Sequence, residues 1–351
     1  MTASIVQTVG PAGFGSYEVE WSDRGPTFRP SNRPSDILLC PGFVDTHIHG
    51  GYGTDLMDAD TDSITCFCDR MEQDGVEALL ATTVTASAQA VRDFLRRLPA
   101  HRCLAGVHLE GPFIAPDFPG AQPRDAIVDP AAWHAWEDIL ADPRVRLVTL
   151  APELPGADRL IAHLVDRGIA VSMGHSGATA EDAALALERG ADRVTHTFNA
   201  MRPFHHREPG LLGFALTEPS VWCELIYDRH HVSRRAADIL LRCKGPHRVV
   251  AVSDGTMAAG MPSGSVIEMW GQRCRVEDGV VRLESGALAG SAIVMLDAFR
   301  NLADDFGPEV AIRLCSINPR ALLPVLTEPR SYLEFDVRLN LIRVRRVTPN
   351  P

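Results

Sequence analysis

The chain has 351 residues, of which 45% are hydrophobic and 23% charged, and a formal net charge of −11. That balance belongs to a globular protein with a sizeable core; it argues against disorder and offers no electrostatic footprint for nucleic acid. The length exceeds a usual single core, so one large domain with a small satellite is expected.

No window approaches the ~18 uninterrupted apolar residues of a membrane span, and the N-terminus lacks a basic segment followed by an apolar core. A cytoplasmic protein without a membrane partner is the expectation. Eight cysteines are spread along the chain without a Cys-x-x-Cys pair, which reads as reduced and mostly buried thiols. Of the 34 basic residues only Lys244 is lysine, so any chemistry that needs a lysine has one candidate.

In chain order, β-prone pieces at Ser4 to Val9 and Tyr17 to Trp21 open the sequence and Leu333 to Val347 closes it. These ends are expected to pair, giving a small β domain from 1–40 and 320–351. Between them, over 41–319, buried-strand runs alternate with helical patterns. The strands are expected at Gly42 to Ile48, Glu77 to Val84, Leu104 to Leu109, Val145 to Leu150, Ile169 to Met173, Arg193 to Thr197, Trp222 to Tyr227 and Arg248 to Val252. Segments such as Asp62 to Asp74, Asp129 to Ala141, Ala157 to Arg167, Thr179 to Arg189 and Ser233 to Cys243 carry helical spacing and often start on Asp, Ser or Thr. Eight strand–helix alternations predict an α/β protein, a closed (β/α)8 barrel of the TIM type. A hairpin-like stretch at about 264–290 reads as an insertion.

Most of these strands end in a residue that binds metal or moves protons. They supply Asp45-Thr46-His47-Ile48-His49, His108-Leu109-Glu110, Gly174-His175-Ser176, Thr195-His196, Asp228-Arg229-His230-His231 and Ser253-Asp254. In a barrel such positions converge on the C-terminal face. His47 and His49, two apart on a strand, project to one side and could share a divalent ion. Glu110, His175 and His196 each end an apolar strand, where an unpaired polar group costs roughly 1 to 3 kcal/mol. Each alone also reads as a satisfied buried polar residue; their joint occurrence favours a site. Asp254 could take a proton from a nucleophilic water, or cap a helix. Arg207, in a loop, suits a phosphate or carboxylate, or is simply a surface arginine.

Taken in order, Pro41-Gly42-Phe43-Val44-Asp45-Thr46-His47-Ile48-His49, His108 to Phe113, Gly174-His175-Ser176, Phe198-Asn199-Ala200-Met201, Arg207-Glu208-Pro209-Gly210, Ser253-Asp254, Leu288-Ala289-Gly290-Ser291 and Asn318-Pro319 carry a resemblance. From about Pro41 to Pro319 the chain resembles the N-acetylglucosamine-6-phosphate deacetylases of the amidohydrolase superfamily. The resemblance implies that the terminal segments form an abbreviated β-sandwich. It implies a principal metal on Glu110, His175 and His196, a second on His47 and His49, and Asp254 as catalytic base and acid. The cofactor would be one or two divalent ions per chain, zinc first, with Fe2+ or another divalent ion as alternatives. Asn199, Ala200, Arg207 and His231 would contact an amino-sugar phosphate, with Asp228 to His231 and Leu288, Ala289 and Gly290 lining the site, in a homodimer. Gly120-Ala121-Gln122 stands where the family has Gly-Ala-His, with Gln122 or a neighbouring donor facing the oxyanion. Arg229 adds a cation to the family's Asp-Gly-x-His phosphate element. The expected reaction is hydrolysis of N-acetylglucosamine 6-phosphate to glucosamine 6-phosphate and acetate. The rivals are a deacetylase of a different N-acyl amino sugar in specialised metabolism and a catalytically silent sugar-phosphate-binding homologue.

Overall fold

The computed structural model describes residues 4–269, 272–283 and 288–348; of residues 272, 283, 288 and 289 only the backbone is described. Eight parallel strands form the central sheet: Phe43–Ile48, Val76–Thr83, Leu104–Glu110, Val145–Leu150, Ala170–Met173, Arg193–Val194, Trp222–Ile226 and Val249–Val252. Strands buried on both faces read as continuous apolar runs, and Val76–Thr83 is buried at every position. The sheet closes where the last strand returns to the first, through a parallel bridge between Ile48 and Gly255. There the Asp254 N–H donates to the His47 carbonyl at 2.9 Å and the His49 N–H to the Gly255 carbonyl at 2.8 Å.

Helices cover the outside, and four of their starts follow from side-chain capping. Asp60 caps Thr61–Gln73, Ser87 caps Ala88–Arg97, Ser233 caps Arg234–Lys244, and Thr179 with Asp182 forms a capping box on Ala180–Glu188. The segment expected as one helix from Asp129 to Ala141 divides into a 3-10 stretch, Pro130–Trp136, and a single α turn, Glu137–Leu140. The tighter winding eclipses residues three apart. Trp133 and Trp136 thus share a side, and Trp136 packs its ring 5.7 Å from Phe113. The sixth strand also stops earlier than expected, at Val194, because His196 turns left-handed at φ 28°.

The insertion is a four-stranded antiparallel sheet, Val266–Met269, Gln272–Glu277, Val280–Leu283 and Leu288–Ser291, over its own small core of Ile267, Met269, Cys274, Val276 and Val281. It returns to the barrel mouth through a Gly255–Ser291 bridge. The terminal segments form a six-stranded sheet in the order Leu341–Arg346, Ser331–Phe335, Leu38–Pro41, Ser4–Gly10, Gly13–Ser22, Gly25–Pro30. All eight cysteines are free and all but Cys66 and Cys243 are buried. Among the described residues no helix is long and apolar enough to cross a membrane.

A buried ion pair joins the terminal sheet to the barrel base. Glu77 accepts from Arg320 at 2.7 Å, and from the Ser331 N–H and hydroxyl at 2.8 and 3.0 Å. Arg320 also donates to the Gly42 carbonyl at 3.1 Å. Position 42 has to be glycine, since a Cβ there would lie 2.6 Å from a Glu77 carboxylate oxygen. Glu77→Ala strands a buried guanidinium and is expected to lower the unfolding free energy by about 3 kcal/mol or more, read from urea denaturation against the wild type.

Candidate active site

The ends of the first, third, fifth and sixth barrel strands bring five ligand residues together. His47 and His49 present their Nε2 atoms 3.3 Å apart, and each lies 3.3 Å from a Glu110 carboxylate oxygen. Across the mouth, Glu110 Oε1, His175 Nε2 and His196 Nε2 form a triangle with sides of 3.1, 3.1 and 3.0 Å. Tetrahedral ligands at 2.0–2.1 Å from zinc sit roughly 3.3 Å from one another. The two sets, His47–His49–Glu110 and Glu110–His175–His196, therefore have the dimensions of metal sites, and Glu110 belongs to both. Lys244, by contrast, ends an outer helix with its ammonium on the Glu218 carbonyl.

Contacts behind the ligands fix their direction. The His175 Nδ1–H donates to the Phe118 carbonyl at 3.0 Å, which leaves Nε2 with its lone pair toward Glu110. The turn after His175 is held by Glu153, which accepts from the Ser176 hydroxyl at 2.7 Å and the Gly177 N–H at 2.6 Å. Gln122 accepts from the Thr85 N–H at 2.6 Å and donates its amide to Glu110 Oε2. Glu224 accepts from His47 Nδ1 at 3.2 Å. His108 takes no part, its nitrogens being engaged by the Thr46 carbonyl and the Thr149 hydroxyl; burial and then His47 push its pKa well below the usual value.

Asp254 completes the constellation, with Oδ1 3.3 Å from His47 Nε2 and 3.1 Å from His49 Nε2. It caps no helix and sits left-handed at φ 47°, as do His175 at φ 47° and His196. Burial alone would raise the Glu110 and Asp254 pKa values, but the surrounding imidazoles reverse this and hold both carboxyls well below the usual range. The converse holds for His49: burial opposes its charge, yet Asp254 and Glu110 raise it to about 9. An acid-rich, imidazole-rich, dry cluster of this kind fits a divalent cation, which displaces the imidazole protons on binding.

The ligands open into a cavity of about 230 Å³ that also meets Gln122, Asn199, Ala200, His231 and Asp254. Ala121 and Gly290 are in its wall. His231 is oriented by Asp228, whose carboxylate takes the ring Nδ1–H at 2.5 Å and the backbone N–H groups of His230 and His231 at 2.8 Å. Burial opposes charge on His231, but this carboxylate and Asp254 raise its pKa. Two residues, Thr256 and Ile226, line the cavity without having been singled out in the sequence, and Glu224 likewise lies behind it. The signal for Glu224 was one acid within the otherwise apolar Trp222-Cys223-Glu224-Leu225-Ile226.

Other expected contacts are not brought to this wall. Arg229, expected to add a phosphate cation, has its guanidinium on Asp305 at 2.7 Å and on the Asn301 carbonyl at 3.3 Å, on the helix Met295–Phe306. His230 is exposed, and Asp228 acts behind His231. Arg207 stands on an exposed turn closed by the Glu208 N–H on the His205 carbonyl, with its guanidinium 3.0 Å from His206. The side chains of Leu288 and Ala289 lie outside the described residues.

A parallel barrel with histidines and carboxylates at its strand ends is an amidohydrolase arrangement; residues 38–324 match the amidohydrolase family, and the chain belongs to it. Its similarity is to hexosamine-phosphate deacetylases. It is 38% identical to the N-acetylgalactosamine-6-phosphate deacetylase of Escherichia coli O157:H7 over 82% of this chain and 78% of that one. It is equally 38% identical to the N-acetylglucosamine-6-phosphate deacetylase of Bacillus subtilis over 77% of this chain and 71% of that one. The solved N-acetylglucosamine-6-phosphate deacetylase of Thermotoga maritima superposes with a TM-score of 0.87 at 30% identity, covering 97% of this chain and 96% of that one. A mutant of the Mycobacterium smegmatis enzyme in complex with N-acetyl-D-glucosamine-6-phosphate gives 0.85 at 28% identity, covering 99% and 100%.

The orientation of Arg229 yields a test. Its half-exposed ion pair with Asp305 contributes about 0–1 kcal/mol and Arg229 is not among the residues lining the cavity, so Arg229→Ala is expected to leave KM for a phosphorylated sugar within about twofold. Steady-state kinetics on the two proteins measures it.

Proposed function

We propose that the chain hydrolyses the N-acetyl group of N-acetylglucosamine 6-phosphate, releasing glucosamine 6-phosphate and acetate. The observation that carries the reading is the meeting, in one cavity, of the Glu110–histidine cluster, Asp254 and the Asp228-oriented His231. Glu110, His175 and His196 would hold the principal divalent ion and His47 with His49 a second. The ion, with zinc the first choice, supplies Lewis acidity that polarises the amide carbonyl and lowers the pKa of water.

Asp254 takes a proton from the attacking water as the new C–O bond forms, and returns it to nitrogen as the C–N bond breaks. Its Oδ1 stands 3.1 Å from His49 Nε2 and 3.3 Å from His47 Nε2, beside the groups that would hold the ion. Gln122 holds Glu110 in place with one amide hydrogen and faces the cavity beside the reacting carbonyl. His231 meets the phosphate, and Asn199 and Ala200 shape the sugar's berth. A homodimer in the cytoplasm is part of the same reading and rests on the family resemblance alone.

A second reading, N-acetylgalactosamine 6-phosphate as substrate, is favoured by the Escherichia coli O157:H7 relative. A turnover panel of both phosphosugars and their free forms, with acetate release as the readout, tests the proposal; preference for an unphosphorylated sugar would overturn it.

Asp254→Asn conserves volume and removes the proton carrier, so kcat is expected to fall by at least ~10²-fold with the metal content unchanged by elemental analysis. A pH profile checks His231. Its raised pKa means that the cation is present below that pKa and is lost as pH rises through it. KM for the phosphorylated sugar is therefore expected to climb from neutral into alkaline pH, while KM for the free sugar stays flat. His231→Gln should abolish the climb.

A further inference from the structure

We propose that Glu224 is a positioning residue that couples the two metal groups, acting through His47 and His196 and touching no ion itself. The proposal rests on the metal reading above. Glu224 lies in the middle of Trp222–Ile226 with its side chain 1% exposed. One of its oxygens, Oε2, is 3.2 Å from His47 Nδ1 and 3.2 Å from the backbone nitrogen of His196. These two donors come from opposite groups. His47 stands with His49 and Glu110, whereas His196 stands with Glu110 and His175.

Each hydrogen bond has a separate consequence. The first places the hydrogen of His47 on Nδ1 and frees Nε2, the atom that faces Glu110, His49 and Asp254. A carboxylate in this place also strengthens the imidazole as a donor, and removing such a partner typically weakens metal binding about 10–100-fold. The second holds the backbone of His196, whose left-handed φ of 28° is one that a residue with a Cβ resists. The Thr197 N–H adds to this hold by donating to the Glu224 carbonyl at 2.9 Å. A single buried oxygen thus sets a ring in the first barrel strand and a peptide beyond the sixth.

Two substitutions separate charge from geometry. Glu224→Gln keeps an oxygen that can accept both hydrogen bonds and removes the charge, whereas Glu224→Leu removes both. Chelator-stripped protein is titrated with Zn2+ against a chromogenic chelator, with thermal unfolding of the metal-free forms recorded in parallel. His49→Ala identifies which of the two wild-type affinities belongs to the His47–His49 group. In Glu224→Gln the affinity of that group is expected to fall about 10–100-fold, with the other ion held within about threefold of wild type. In Glu224→Leu both affinities fall. If Glu224→Leu binds both ions as the wild type does and only its metal-free unfolding temperature drops, Glu224 is a structural acid and the proposal is overturned. Should the leucine variant not fold, an unchanged affinity of the His47–His49 group in Glu224→Gln overturns it equally. A wild type that takes up no zinc overturns the metal reading instead, which keeps the two failures apart.

Discussion

The carboxylate of Asp45 sits where the last barrel strand meets the first, and the geometry of the mouth follows from it. It accepts the Ser253 hydroxyl at 2.5 Å, the Ser253 N–H at 3.3 Å and the His47 N–H at 3.2 Å. Burial pushes its pKa up to about 6, although all three hydrogen bonds pull it down. The ladder at this seam is a lone bridge between Ile48 and Gly255, so side-chain bonds do much of the stitching. The register they fix sets Asp254 against His47 and His49. Side chains alternate along a strand, so a slip of one residue would turn both imidazoles out of the mouth.

Chemistry and stability are segregated along the barrel axis. The mouth carries left-handed residues at His175, His196 and Asp254, each strained by about 1–3 kcal/mol, around carboxylates withdrawn from water. Compensation comes from the opposite end, where Phe299 lies 5.1 Å from Phe43 and 4.8 Å from Phe335, and where Glu77 and Arg320 clamp the terminal sheet. The terminal segments thus stabilise the barrel from the face that does no catalysis, as expected for this architecture.

The barrel was legible in the sequence because strands buried on both faces announce themselves as apolar runs; Val145–Leu150 falls on its expected residues. The polar residues ending those runs located the candidate mouth for the same reason. Legibility failed where a conformation depends on distant partners. The sixth strand was read through to Thr197, and nothing local reveals that His196 leaves the strand to face Glu110. Arg229 was assigned to a phosphate through the family's Asp-Gly-x-His element, whereas its guanidinium is paired with Asp305, 76 residues on. Glu224 was passed over because one acid in an apolar strand reads equally as a satisfied buried group, and its partners, the His47 ring and the His196 N–H, are distant in sequence.

The division between strand ends and loops also bears on how one scaffold serves more than one sugar. Glu110, His47 and Asp254 are fixed by the barrel ladder and its seam, so the amide and the attacking water meet rigid groups. Asn199, Ala200 and His231 lie on connections beyond the strands, held by short contacts such as the Asn199 amide on the His196 carbonyl at 3.2 Å. Loops tolerate change that strands do not. Relatives named for two hexosamine epimers are therefore compatible with one arrangement of strand-end histidines and carboxylates. In this chain Asp228 restricts that freedom, since its carboxylate accepts three hydrogen bonds from the loop of His231.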